Sequence, residues 1–406
     1  TIRALYSLYT MPELSAAGYT NNDLLVGLNS SGVTTNFTSG TNSFENTYVG
    51  FGFTDSNNTL NVLNPGTLLT NSGNLTVGNS GSGNSLVISN GGMVQNNAGV
   101  IGEDTNALNN SVLVTGAAST WTNSGALTIA QRGSGTLTVV SGGSVASSGI
   151  TIASSNTATG TLNIGRFGTN DTGGTIIAPT IAFGSGTGAI NFNQSNAVTI
   201  TSAISGNGVV NQLGTGTTTL SGANTYTRGT VVSAGSLVGT TTSLQGAITN
   251  NAAVTFDQST DGTYSGAMSG SGSLSKTGIG RLSLSGSSSY NGATAVSAGD
   301  LNLSGGSIAN SAVTVASGAS LSGYGSVGTI GGAGAINPGN SPGILTTPQV
   351  DPSGGTDFNL EMTGTAPTYN NASNSVNDVI RITGAPPFSQ ALAAGNGVFI
   401  YFSGAA

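Results

Sequence analysis

Short stretches in which apolar residues alternate with Thr, Ser or Asn recur along most of the chain: Leu75-Thr-Val77, Leu86-Val-Ile88, Leu127-Thr-Ile129, Leu137-Thr-Val139-Val140, Ile150-Thr-Ile152 and Leu162-Asn-Ile164. Each is bounded by Gly, Asn or Ser. A period of two between turn formers predicts a half-buried β-strand followed by a turn. No stretch carries a competing helical period, so the expectation is an all-β chain. Strands this short cannot build a sandwich core one by one. They suit a solenoid, in which coils stack on one another and a row of apolar side chains points inward.

Repeats support that expectation, because self-similarity at fixed spacing marks stacked architectures. Residues 74 to 94 (NLTVGNSGSGNSLVISNGGMV) return as residues 126 to 145 (ALTIAQRGSGTLTVVSGGSV), at an offset of 52 that falls to 51 after one extra residue near Asn84. A different repeat aligns residues 214 to 237 (GTGTTTLSGANTYTRGTVVSAGSL) with residues 278 to 301 (GIGRLSLSGSSSYNGATAVSAGDL), without a gap, at an offset of 64. Leu220 falls on Leu284, Gly222 on Gly286, Tyr226 on Tyr290 and Gly235 on Gly299. The Leu residues are read as stacked core, the two Tyr as seated on a turn, and the Gly as bends with φ above zero. Coils of about 20 to 25 residues, rising about 4.8 Å each, arrange residues 61–345 as about twelve to fourteen coils, roughly 60 Å long.

The ends differ from this middle. Residues 1–60 hold eight of the 22 Tyr and Phe residues: Tyr6, Tyr9, Tyr19, Phe37, Phe44, Tyr48, Phe51 and Phe53. Open sheet edges at the end of a solenoid invite pairing with other chains, so residues 1–60 are read as an N-terminal cap or assembly segment. Its opening apolar run, Ile2, Ala4, Leu5, Tyr6, Leu8 and Tyr9, either caps its own chain or adds as a strand to a neighbouring molecule. At the other end the turn cluster Asn337-Pro-Gly-Asn-Ser-Pro-Gly343 interrupts the stacking. Residues 346–406, with longer strands at 378–382 and 398–402, are read as a C-terminal β cap or small β domain.

Composition narrows the chemistry. Only 5% of residues are charged, yet 36% are hydrophobic and the mean hydropathy is +0.11, which separates the chain from disordered Gly-rich sequences. Its surface must be coated with Ser, Thr, Asn and Gly. Cys and His are both absent. That excludes disulfides, thiolate and imidazole metal sites, Cys nucleophiles and Ser-His-Asp triads. The net charge is −7, and Arg3, Arg132, Arg166, Arg228, Lys276, Arg281 and Arg381 are scattered, so nucleic-acid binding is not expected. No run of 18 apolar residues predicts a transmembrane helix, and residue 1 opens no signal peptide, which fits a processed N-terminus.

Candidate sites are few. Glu103-Asp104 and Asp257 with Asp261 are the close acidic pairs, each readable as a solvated turn, a calcium site or the paired carboxylates of glycoside hydrolysis. The first is weakened because neighbours on a strand face opposite ways. Arg166 and Asp171 suit a surface ion pair. Trp121 is either packed inside or a platform for a sugar ring. Gly331-Gly-Ala-Gly334 lacks the Lys-Ser/Thr of a phosphate loop and is read as a turn. No catalytic residue, metal ligand or cofactor is assigned.

The segment at 214–237 resembles the autotransporter-associated β-strand repeat. Its partner at 278–301 departs at Arg281 and at 287–289 but keeps the Leu, Tyr and Gly framework. Residues 113–145, around Trp121, are similar to the Trp-containing repeats of the same passenger proteins, and INPGNSPGIL at 336–345 resembles the segment that often closes them. The resemblance spans about residues 70–345. It implies a right-handed parallel β-helix, extracellular or on a bacterial cell surface. Such a chain is expected to act as a structural or adhesive element, not an enzyme, with partners among copies of itself or among cell-surface glycans and proteins. Strand addition at its ends would let it polymerise head to tail. A carbohydrate-active or glycan-binding module on the same scaffold is the alternative.

Overall fold

A computed structural model describes residues 22–339, 343–359, 379–383 and 401–402. Among these no α-helix occurs, and every ladder between named strands is parallel; one 3-10 turn spans Pro352–Gly354. The chain forms two compact units, residues 1–229 and 230–406.

The first unit winds through three parallel sheets. Leu24–Val26, Thr47–Val49, Leu75–Val77, Gly99–Ile101, Leu127–Ile129 and Ile150–Ile152 follow one another in the first sheet. Thr34–Phe37, Thr59–Leu63, Ser85–Ser89, Asn110–Thr115, Ser134–Val140 and Thr159–Ile164 do so in the second. The third runs from Thr41–Phe44 to Thr175–Ile177, after which Ala197–Ile200 and Thr217–Leu220 take over as the third side. Alternation decides the facing: in the second sheet Leu60, Leu86, Val112, Leu137, Leu162 and Ile190 stack in register, each 1% exposed or less. The offset of 52 is two coils, since Leu75 lies beside Gly99 and Gly99 beside Leu127.

Shorter coils build the second unit. Ser236–Gly239, Ala253–Asp257, Ser273–Thr277, Thr294–Val296, Val313–Val315 and Ile330–Gly332 pair in series. A second series runs Gly262–Tyr264, Arg281–Leu284, Asp300–Ile308 and Ser320–Val327. Neighbouring coils here are typically 20 residues apart, as at Asp257 and Thr277, against 26 at Asn58 and Asn84 in the first unit.

Three details depart from the sequence expectations. Regular coils are present from Leu24, inside the segment read as a cap, because Leu24–Val26 and Thr34–Phe37 already pair with the following coil. Parallel pairing also continues past residue 345: Ile344–Thr347 pairs with Val379–Ile382, and that strand with Tyr401–Phe402. Gly331 and Gly332 lie in a strand beside Thr314 and Val315 and not in a turn; the corner above Val315 leaves no room for a Cβ at Gly332. The run Ile2, Ala4, Leu5, Tyr6, Leu8 and Tyr9 lies outside the described residues.

Candidate functional site

The chemistry of this molecule sits at its corners, where strands end and backbone groups need partners. Between the first and second sheets of the first unit, the six coils from Leu24–Val26 to Ile150–Ile152 each turn through a residue in the left-handed region: Gly27, Gly50, Gly78, Gly102, Ala130 and Ala153. Over three of these corners lie buried asparagines. Asn58 donates its backbone N–H to Asn84 Oδ1 at 2.9 Å, Asn84 donates its own to Asn110 Oδ1 at 2.8 Å, and Val33 N–H reaches Asn58 Oδ1 at 2.9 Å. The side chains of Asn58, Asn84 and Asn110 fill the space a Cβ would need at Gly27, Gly50 and Gly78. Further along the same column the residues become Gly135, Gly160 and Gly188; the corner one coil before Gly135 is still Gly102, and those one coil before Gly160 and Gly188 carry Ala130 and Ala153.

A second buried row closes the corner after the third sheet. Asn96 Nδ2 donates to Asn123 Oδ1 at 2.7 Å, and Thr47 Oγ1 to Asn71 Oδ1 at 2.6 Å. Trp121 is fully buried and its indole N–H donates to Asn96 Oδ1 at 2.8 Å. Of the two readings left open for Trp121, interior packing is the observed one.

The repeat residues occupy equivalent interior roles in the two units. Leu220, Tyr226, Leu284 and Tyr290 are buried, each 2% exposed or less. Gly222 and Gly286 lie against the backbone carbonyls of Ser202 and Gly266, and Gly235 and Gly299 turn at φ of 63° and 65°. Tyr290 shares its hydroxyl proton with Thr294 Oγ1 at 2.6 Å, and Thr294 in turn meets Ser311 Oγ at 2.7 Å. Burial pushes the Tyr290 phenol up to about 12, against the pull of its Thr294 and Ser311 hydrogen bonds.

Two residues before each aligned segment stands a buried side chain that the sequence reading passed over. Gln212 and Lys276, separated by the repeat offset of 64, are both fully buried. Gln212 Nε2 donates to the carbonyls of Gly214 and Gly216 at 2.9 and 3.1 Å. Lys276 Nζ donates to Thr277, Gly278 and Ala298 at 2.9, 2.8 and 3.0 Å. Burial lowers the Lys276 ammonium below its ordinary value, while the carboxylates of Asp300, Asp257 and Asp261 pull it back up. A polar residue recurring in an otherwise apolar column was the signal available in the sequence.

The surface carboxylates are tied to neighbouring coils. Thr277 Oγ1 donates to Asp257 at 2.8 Å and Arg281 N–H to Asp261 at 2.8 Å. Asn79 Nδ2 donates to Glu103 at 2.7 Å, and Ser80 Oγ to Asp104 at 3.2 Å. Arg166 and Asp171 form the expected ion pair at 3.7 Å, partly exposed. A stronger one joins Arg281 Nε to Asp300 at 2.8 Å, with Ser320 and Ser322 donating to the same carboxylate. Among the described residues no three Asp, Glu, His or Cys side chains gather as metal ligands. The first described coil opens on a cleft of about 700 Å3, lined by Leu24, Val26, Val33, Thr35, Phe37 and Phe44.

Charge-poor coils, parallel ladders and polar rows at the corners define a repeat β-solenoid built to stack. Residues 210–238 and 274–303 each match the Passenger-associated-transport-repeat family. Together with the parallel β-solenoid, that match supports an autotransporter passenger-like repeat protein. Comparison with curated proteins returns no match.

Proposed function

We propose that this chain is a secreted or surface-displayed structural element, adhesive or self-associating, without enzymatic activity. The observation that carries this reading is where the polar chemistry goes. The Asn84 and Asn123 oxygens, the Gln212 amide nitrogen, the Lys276 ammonium and the Tyr290 hydroxyl are spent on backbone groups and on other side chains, and the Asp257 and Asp261 carboxylates are spent on the neighbouring coil. Such a scaffold holds its shape without disulfides and offers faces of Thr, Ser and Asn outside a cell. The passenger repeats support export to the surface.

Self-association is proposed to use the chain ends. The cleft at the first described coil is lined by Leu24, Val26, Phe37 and Phe44 alongside Asn36, Thr41 and Asn42, and the apolar run Ile2–Tyr9 is of the kind that completes a sheet edge. Purified chain, with and without residues 1–20, is to be examined across a concentration series by light scattering and negative-stain microscopy. Fibres that need residues 1–20 support head-to-tail addition; monomers at every concentration remove the fibre from the proposal. Release of reducing ends from a polysaccharide panel would overturn the non-enzymatic reading.

A further inference from the structure

We infer that the corner formed by Gln194 and Gln212 binds a monovalent alkali-metal cation. Phe192 pairs with Gln212 across the second sheet of the first unit, so Asn193 and Gln194 turn away where Gln212 ends its own strand. All three polar side chains are at least nine-tenths buried. Their amide nitrogens are engaged: Asn193 Nδ2 with Gly165 O at 3.3 Å, Gln194 Nε2 with Thr218 Oγ1 at 2.8 Å, and Gln212 Nε2 with Gly214 O and Gly216 O. Their oxygens are not: Asn193 Oδ1, Gln194 Oε1 and Gln212 Oε1 have no hydrogen-bond donor. Exchanging O and N of Gln212 would set an oxygen against two carbonyls, so its orientation is fixed.

Buried oxygens without donors are costly to leave alone, and what they lack is positive charge. The second repeat supplies it covalently. At the position of Gln212 it carries Lys276, whose ammonium sits among the carbonyls of the same turn, with Gly278 O corresponding to Gly214 O. The interior of this repeat therefore accepts one positive charge. Among the described residues, Asp171 touches the first corner through its backbone carbonyl, which accepts from Ser195, while its side chain faces Arg166 and Thr169. Neutral oxygens suit Na+ or K+ and not a strongly hydrated divalent ion. The inference is independent of the role proposed for the chain's surface.

The test is urea unfolding of the full chain followed by Trp121 emission, in NaCl, KCl or tetramethylammonium chloride at equal ionic strength. Binding predicts a higher midpoint in one alkali chloride, saturating with its concentration. Gln212→Lys, which tethers a cation as Lys276 does, is expected to abolish that dependence. Equal midpoints for the wild-type chain in all three salts overturn the proposal, because internal water would serve every salt alike. An unchanged alkali dependence in a folded Gln212→Lys variant would also overturn it, since the ion would then bind elsewhere.

Discussion

Replacing Gly50 with Ala tests the corner rule directly. Gly50 has φ of +74°, where an Ala costs about 1–2 kcal/mol, and its new methyl would overlap the Asn84 amide. Moving Asn84 takes the acceptor from Asn58 N–H, which is fully buried, for a further cost of about 1–3 kcal/mol. Gly50→Ala alone should therefore cost about 2–5 kcal/mol. Asn84→Gly alone orphans the same N–H and adds backbone entropy, about 2–4 kcal/mol in all. In the double variant the overlap is gone and the orphaned group is counted once. Its cost should fall below the sum of the single costs by about 1–3 kcal/mol. The double variant reproduces what the chain already does further along, where Ala130 and Ala153 turn the corner and Gly160 and Gly188 stand in the column of Asn84. The assay is urea unfolding by Trp121 emission, with hydrogen exchange at Asn58 as the local readout. Costs that add to within about 0.5 kcal/mol would refute the reasoning, because the Asn84 side chain would not then be what excludes a methyl at residue 50.

Other perturbations follow from the same geometry. Lys276→Met takes the donor from the half-buried carbonyls of Gly278 and Ala298, while Thr277 O keeps the Gln258 N–H, and should cost about 2 kcal/mol, whereas Lys276→Gln, which copies Gln212, should cost under about 1 kcal/mol; denaturation of both variants checks the difference. Asn96→Ala removes the acceptor of the Trp121 indole and the donor to Asn123, and is expected to cost about 2–3 kcal/mol and to shift the Trp121 emission. Tyr290 has a raised pKa in the folded chain, so the stability it contributes is complete below about pH 10 and is lost as the pH rises towards 12. Lys276, with a lowered pKa, acts in the opposite sense: its penalty fades as the pH rises towards 10.5. Stability of Tyr290→Phe measured from pH 9 to 12 should decline less steeply than that of the wild-type chain.

Much of the fold could be read from the alternation of apolar and hydroxyl residues. Strands such as Leu127–Ile129 and Ile150–Ile152 stand where that pattern placed them, because one inward side in two is what a coil face requires. The two-coil spacing was visible too. The corners were harder, since what makes Asn84 structural is its contact with Gly50 in the preceding coil and with Asn58, 26 residues earlier. Local sequence around Asn84 reads as an ordinary Gly-Ser-Asn turn. Lys276 reads in the sequence only as one of seven scattered basic residues; its place in the column of Phe256 and Val296 makes it internal. Coil boundaries at the ends failed for a related reason: aromatic enrichment at Phe37, Phe44 and Tyr48 reads as a cap, yet Phe37 and Phe44 pack 6.2 Å apart inside a regular coil.

The polar rows have a further consequence for how such a chain keeps its register. Parallel coils with interchangeable Leu, Val and Ile inside tolerate slippage energetically, because a shifted apolar row still finds an apolar neighbour. An Asn row does not. Sliding the Asn84 coil by two residues would return apolar side chains to the core but leave the N–H of Asn58 and the Oδ1 of Asn110 unmatched, and it would bring side chains against corners that admit only Gly. With only 21 charged residues in 406, ion pairs cannot supply that discrimination. The same logic assigns Gln212 and Lys276 to register in the later repeats, where the polar group is aimed at the turn and not at the next Asn. Variants such as Asn84→Leu should then yield chains with full β content but heterogeneous hydrogen exchange across neighbouring coils. A single, uniformly protected state in that variant would show that the apolar rows alone fix the stacking.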